Sequence, residues 1–194
     1  MTTWTEGKVA RILARNTFKG ALCVLPNSTW TGDEIDLLVV PSCLRVVDVE
    51  IKISRADLKA DAKKDRWWRR PSFQHGGPPS PVEFPRYVWK HYYAMPVDVW
   101  RQEWLADVRP LSGVLVVSDG GGRHGLNGYA YGSVECLRRA RPNKAAKALG
   151  PHQIRDLARL ASLRMWDAYR DLDRARDDHA RRIAMHEQCA EVKP

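Results

Sequence analysis

The stretch GDEIDLLVVPSCLRVVDVEIKIS, residues 32–54, decides how the chain is read. Two aliphatic runs flank a Pro-Ser-Cys connection, yet Asp33, Glu34, Asp36, Asp48, Glu50 and Lys52 punctuate them. Ile35, Leu37 and Val39 alternate with Glu34, Asp36 and Leu38, and Val47, Val49 and Ile51 alternate with Asp48, Glu50 and Lys52. Period two predicts two strands with aliphatics on one face and charges on the other. The short connection predicts an antiparallel hairpin. A turn centred on Cys43 pairs Leu38 with Asp48, Asp36 with Glu50 and Glu34 with Lys52. Directly opposed Cβ atoms lie about 4.5–5.5 Å apart. Two carboxylates that close repel unless a cation sits between them. Mg²⁺ or Mn²⁺ meets that need, since Mg²⁺ takes oxygen ligands and often only one or two carboxylates. Lys52 shares the face of Glu50 and offers an ammonium to neutralise charge or position water. The bland alternative is a half-exposed strand face with a cross-strand ion pair.

The hairpin sits among elements of both kinds. Residues 4–18 carry Val9, Ile12 and Leu13 at helical spacing behind Thr5, a candidate N-cap. Residues 21–26, ALCVLP, form a short strand candidate. Residues 54–70, SRADLKADAKKDRWWRR, are predicted to form a helix capped by Ser54, with Asp57 at capping-box spacing. A Pro- and Gly-rich surface loop follows over 71–85, then strands over 87–97 and 112–119 with a short helix between them. The glycine-rich run at 120–128 is a loop, with no clear helix after it to make a dinucleotide site. From about Pro151 to Glu187 the chain is predicted helical, with Ile154, Leu157, Ala158, Ala161, Met165, Ala168 and Leu172 on one stripe. Its many arginines either face phosphate or form a solvated face paired with Asp171, Asp173, Asp177 and Asp178.

The acids, the lysine and the helix behind them carry a resemblance. DEID at 33–36 followed by VEIK at 49–52 resembles the PD-(D/E)xK, or restriction-endonuclease-like, nuclease superfamily, with Ile35 standing where the family places proline. The wider run VEIKISRADLKADAKKD, with HYYAMP and GVLVVSD downstream, is similar to the MmcB-like DNA-repair-associated branch, over residues 5–119. The resemblance implies an α/β fold: a restriction-endonuclease-like core, a mixed central sheet of four to five strands flanked by helices, and here a long C-terminal helix. Residues 1–142 would be the nuclease-like domain and 143–194 a helical extension. It also implies a deoxyribonuclease, an endonuclease acting in DNA repair, recombination or phage and host DNA processing. Asp36, Glu50 and the backbone carbonyl of Ile51 would hold Mg²⁺ or Mn²⁺, and Lys52 would orient or activate water. Glu34 and Asp48 would support the ligands or stay solvated. Glu6 would add an acid near the metal, or favour the first turn of its helix. The alternative is an inert nucleic-acid-binding or protein-interaction module on the same fold.

The net charge of +9 favours a polyanionic partner such as DNA. Arg55 and Lys59 at the helix start, Arg66, Trp67, Arg69 and Arg70 at its end, and Lys90 on the following strand are the candidate contacts. Trp67 and Trp68 either stack on bases or anchor the helix in the core while the arginines reach solvent. The C-terminal helix is a candidate homodimer surface. Cys23, Cys43, Cys136 and Cys189 are scattered without a CxxC pair, which predicts reduced thiols in a cytoplasm. No apolar run reaches the roughly 18 residues of a membrane span, and the N-terminal residues lack a signal pattern. His75, His124, His152, His179 and His186 have no metal-ligand spacing, and no GxSxG is present.

Overall fold

The structure is a computed structural model that describes residues 3–69, 77–120 and 132–191. It divides into a unit of residues 1–150 and a helical unit of residues 151–194. The division falls at Gly150 rather than at 142, because residues 143–149 are tied to the sheet. The Asn143 N–H donates to the Trp89 carbonyl at 2.7 Å, and the Leu149 N–H to the Leu44 carbonyl at 2.7 Å.

The first unit opens with α1 (Glu6–Asn16), where Thr5 Oγ accepts the Lys8 N–H at 3.2 Å and caps the helix. Strands β1 (Cys23–Ser28), β2 (Ile35–Val40) and β3 (Val46–Ile51) follow. Next come α2 (Arg55–Asp61), a 3₁₀ turn (Asp65–Trp67) and the two-residue strands β4 (Trp68–Arg69) and β5 (Ser80–Pro81). Then β6 (Val88–Pro96), a second 3₁₀ turn (Gln102–Ala106), β7 (Gly113–Ser118) and β8 (Ser133–Arg138) complete the unit. The main sheet runs β1-β2-β3-β6-β7-β8, while β4 pairs only with β5. The pairs β3–β6 and β6–β7 are parallel and the others antiparallel, so the sheet is mixed. It has six strands, not four to five. The strand that pattern reading misses is β8, an edge strand whose mostly exposed side chains show no apolar alternation.

The hairpin register is Leu37↔Val49, Leu38↔Asp48 and Val39↔Val47. One face of the sheet packs against Val9, Ile12 and Leu13 of α1 through Leu37, Val39, Val47, Val49, Ile51, Ala94, Leu115 and Val117. The other face is also covered. There Leu58 of α2 and Val108 pack on Tyr93, Met95, Val114 and Val116. Every residue of β3 is consequently buried, so Asp48 and Glu50 are shut off from solvent, while Asp36 of β2 is half-buried.

The helix from Ser54 is much shorter than the 54–70 predicted from its cap. Ser54 caps it, Oγ accepting the Asp57 N–H at 3.1 Å. The α-helix then ends at Asp61 and the chain turns, with Lys63 N–H on the Ala60 carbonyl and Lys64 N–H on the Asp61 carbonyl. The second unit is α3 (Pro151–Glu191), with proline at its first position. Its arginines pair along the helix, Arg170 with Asp167, Arg174 with Asp171, Arg176 with Asp173 and Arg181 with Asp178, all exposed. Such pairs contribute a few tenths of a kcal/mol each. Among the described residues, no helix is long and apolar enough to cross a membrane.

Candidate functional site

Continuing the hairpin register one step puts Asp36 opposite Glu50 and on its face, with Leu38 and Asp48. Strand β6 adds His91 beside Asp48 and Tyr93 beside Glu50. Lys52 follows β3 directly, its N–H held by the Ala94 carbonyl at 2.9 Å. Its Nζ lies 2.9 Å from Glu50 Oε2, 3.3 Å from Asp61 Oδ1 and 3.7 Å from Asp57 Oδ1. Asp36 Oδ2 accepts the Ile51 N–H at 2.7 Å. Asp36, Glu50, Ile51 and Lys52 are thus brought together.

The cover over this face supplies Asp61 and Lys64, which pattern reading does not single out, and Arg66, which it places at a nucleic-acid surface instead. Asp61 lies three positions beyond Leu58, on the inward side of α2, and is fully buried. Its Oδ2 accepts the Tyr93 hydroxyl at 2.6 Å and the Trp67 indole N–H at 3.0 Å. Lys64 reaches Glu50 Oε2 at 2.7 Å and Asp61 Oδ1 at 3.3 Å. Arg66 donates to Asp48 and Glu50 at once, and to the Glu34 carbonyl at 3.1 Å. The sequence signals are an acid at helical spacing from Leu58, for Asp61, and, for His91 of β6, a histidine alternating with Tyr93 and Met95.

Several expected nucleic-acid contacts lie elsewhere. Arg66 and Trp67 are buried, so the guanidinium neutralises acids in the interior and the indole is a core anchor. Lys90 is in register with Val47, which belongs to the core on the α1 side, and sits 4.4 Å from the Trp89 ring centroid; it is not on the Glu50 face. Glu6 is exposed in the first turn of α1, the helix on the opposite face. Glu34 is exposed and contributes its carbonyl, while Asp48 is fully buried against Arg66. Arg55 pairs with Asp107 at 3.0 Å, and Lys59 is exposed. Arg69 is exposed and lines a groove of about 550 Å³ with Trp68, Phe84, Arg86 and Asp33. Arg70, His75, His124, most of the glycine-rich run and the side chain of His186 lie outside the described residues.

The electrostatics follow from burial. Five acids (Asp36, Asp48, Glu50, Asp61 and, half-exposed at the rim, Asp57) face three bases (Lys52, Lys64, Arg66). Burial pulls the Lys52 pKa down, but Glu50 and Asp61 outweigh it and hold Lys52 above its ordinary value, as an ammonium. Burial raises Asp61, yet Lys52, Tyr93 and Trp67 hold it well below the usual carboxylate range. Burial, reinforced by Arg66, keeps His91 neutral; its Nδ1 shares a 2.8 Å hydrogen bond with Ser112 Oγ. Among the described residues, Asp48 Oδ1, Asp61 Oδ1, Arg66 Nε and His91 Nε2 are buried without a hydrogen-bond partner. The approach of Asp61 Oδ1 to the two ammoniums is therefore charge proximity, not a hydrogen bond.

Asp36 is pushed up to about 6, first by burial and then by Glu50. Its folded carboxyl keeps a proton that the unfolded one releases near 3.8. The stability this contributes is complete below the unfolded value and is lost as pH rises through about 6. In EDTA, Asp36→Asn should therefore melt above the parent protein at pH 7.5, with the gap closing toward pH 4. A gap that does not change with pH would show that Asp36 is not strained by its neighbours.

The donors suit a small hard cation. Asp36 and Glu50 are cross-strand carboxylates whose repulsion a cation relieves, and ammonium groups already occupy the space beside Glu50 and Asp61. Among the described residues no group of three or more His, Cys, Asp or Glu side chains is placed to hold a metal ion.

No family model and no curated protein matches the chain. Among solved structures, the SPO1766 protein of unknown function from Silicibacter pomeroyi is similar, at 20% identity and a TM-score of 0.51, over 92% of this chain and 96% of that one. At that identity the likeness is one of fold alone.

Proposed function

We propose that the chain is a metal-dependent nuclease with a restriction-endonuclease-like core, hydrolysing DNA phosphodiester bonds. One observation carries the reading: Asp36 and Glu50 share a face of the β2–β3 hairpin, and the Lys52 ammonium lies 2.9 Å from Glu50. Asp36, Glu50 and the Ile51 carbonyl would hold Mg²⁺ or Mn²⁺. When bound, such an ion supplies Lewis acidity toward phosphate and acidifies water. Lys52 stays charged, so its part is to stabilise negative charge on the phosphate rather than to accept a proton. The groove lined by Trp68, Arg69 and Arg86 joins an aromatic face to two exposed cations, a combination suited to a nucleic-acid strand.

The test is incubation of circular single-stranded and duplex DNA with the protein, with and without Mn²⁺, beside Glu50→Gln. The expected result is Mn²⁺-dependent opening of circles, lost in Glu50→Gln. Circles left intact at high enzyme concentration would remove the endonuclease reading. A second reading, a binding module without chemistry, is favoured by one observation: both Glu50 oxygens already have cationic partners, Oε2 with Lys52 and Lys64, Oε1 with Arg66. That module would bind DNA equally well with and without Mn²⁺ and leave it uncut.

A further inference from the structure

Three cations contact Glu50, and they are not equivalent. Lys52 is 2% exposed and fixed by its place after β3; Arg66 is buried and spans Asp48 as well. Lys64 differs, because its side chain is 41% exposed while both carboxylates it bridges are 0% exposed. It lies outside α2 and the 3₁₀ turn, in the chain between them. Its Nζ stands 2.7 Å from Glu50 Oε2 and 3.3 Å from Asp61 Oδ1, and its charge is felt by Asp36. One ammonium thus sits between two buried carboxylates contributed by β3 and α2.

The charge balance singles it out. At formal charges, the four acids that line the buried face and the two buried bases leave two negative charges, and the half-exposed Asp57 beside Lys52 adds a third. Lys64 cancels only one of them. Asp61 Oδ1 is a second sign, because it is fully buried, faces this position and accepts no hydrogen bond. A buried carboxylate oxygen without a donor is costly, and coordination to a cation would satisfy it.

We infer that Lys64 is a displaceable place-holder: its ammonium occupies the position of a hard divalent cation held by Glu50 and Asp61, and leaves for solvent when that cation binds. This rests on the metal-site reading above and adds Asp61 as a ligand and Lys64 as an internal competitor. Binding then requires the segment between α2 and the 3₁₀ turn to release its lysine, which ties ion occupancy to the chain leading into Arg66 and Trp68. Removing the charge at position 64 removes the competitor.

The test is Mn²⁺ binding by calorimetry, and by the Mn²⁺-induced rise in melting temperature, on the parent, Lys64→Met, Lys64→Gln and Lys64→Arg, with Glu50→Gln as control. Lys64→Gln keeps an N–H for Glu50 and serves if the thioether variant melts too low. The expected result is Mn²⁺ binding about tenfold or more tighter in Lys64→Met and Lys64→Gln, and no tighter than the parent in Lys64→Arg, which keeps the charge. If the parent binds Mn²⁺ through Glu50 but the neutral variants bind no better, Lys64 is not a place-holder, and the metal site stands without it. If neither the parent nor the neutral variants bind Mn²⁺, the metal site itself falls, and this inference with it. Binding seen only in the neutral variants would support the inference most directly.

Discussion

Arg66→Ala is expected to lower the free energy of unfolding of the first unit by about 3–5 kcal/mol, the cost of leaving buried charge without its partner. The guanidinium bridges Asp48 and Glu50 and donates to the Glu34 carbonyl at 3.1 Å. Its removal strips Asp48 of its ion-pair partner, and Asp48 already has one oxygen without a hydrogen bond. Each kcal/mol moves the melting temperature of a unit this size by about 2–4 °C, so a drop on the order of 10 °C is expected. Lys at position 66 should recover only part of it, since a point charge does not span two carboxylates as a planar fork does. Pairing Arg66→Met with Asp48→Asn should recover more than the single change, because the orphaned charge is then gone. Urea and thermal melts measure all three. A surface contact to DNA would lose less than about 0.5 kcal/mol, and a loss that small would place Arg66 outside the interior network.

Lys52→Met is expected to reduce DNA cleavage by on the order of a hundredfold or more while the protein still folds and binds Mn²⁺. The ammonium lies 2.9 Å from Glu50, is fixed by its place after β3, and stays charged. Glu50 keeps Lys64 and Arg66, and Asp61 keeps Lys64, Tyr93 and Trp67, so neither acid is orphaned. Met fills most of the vacated volume, which Ala does not, and the fall in stability should be smaller for Met than for Ala. Loss of stability with cleavage retained would make Lys52 a structural counter-ion and remove it from the chemistry. Melting curves and single-turnover cleavage rates on the same preparation separate the two.

The hairpin was legible because alternation is local. Strand geometry sends successive side chains to opposite faces, so Ile35, Leu37, Val49 and Ile51 had to part from Asp36 and Glu50 whatever else the chain did. Capping by Thr5 and Ser54 was legible for the same reason, since each cap satisfies an N–H three residues away. Alternation says which residues share a face but nothing about what covers that face. Only the tertiary structure shows that α2 and the 3₁₀ turn close over Asp48 and Glu50 and bury them. The break after Asp61 was equally out of reach. Residues 55–64 are mostly good helix formers, yet on a continuous helix Lys64 and Arg66 would point roughly 200° apart. Ending the helix lets both turn inward, onto Glu50 and Asp48, where neutralising two buried carboxylates outweighs the few tenths of a kcal/mol per residue of helix propensity. The sequence by itself determined which acids and which lysine stand together on the hairpin. The tertiary structure decided that Glu50 and Lys52 are buried and Asp36 half-buried, that Asp48, Asp61, Lys64, Arg66 and His91 join them, and that Trp67 is core, because those contacts join positions far apart in the chain whose burial no local pattern encodes.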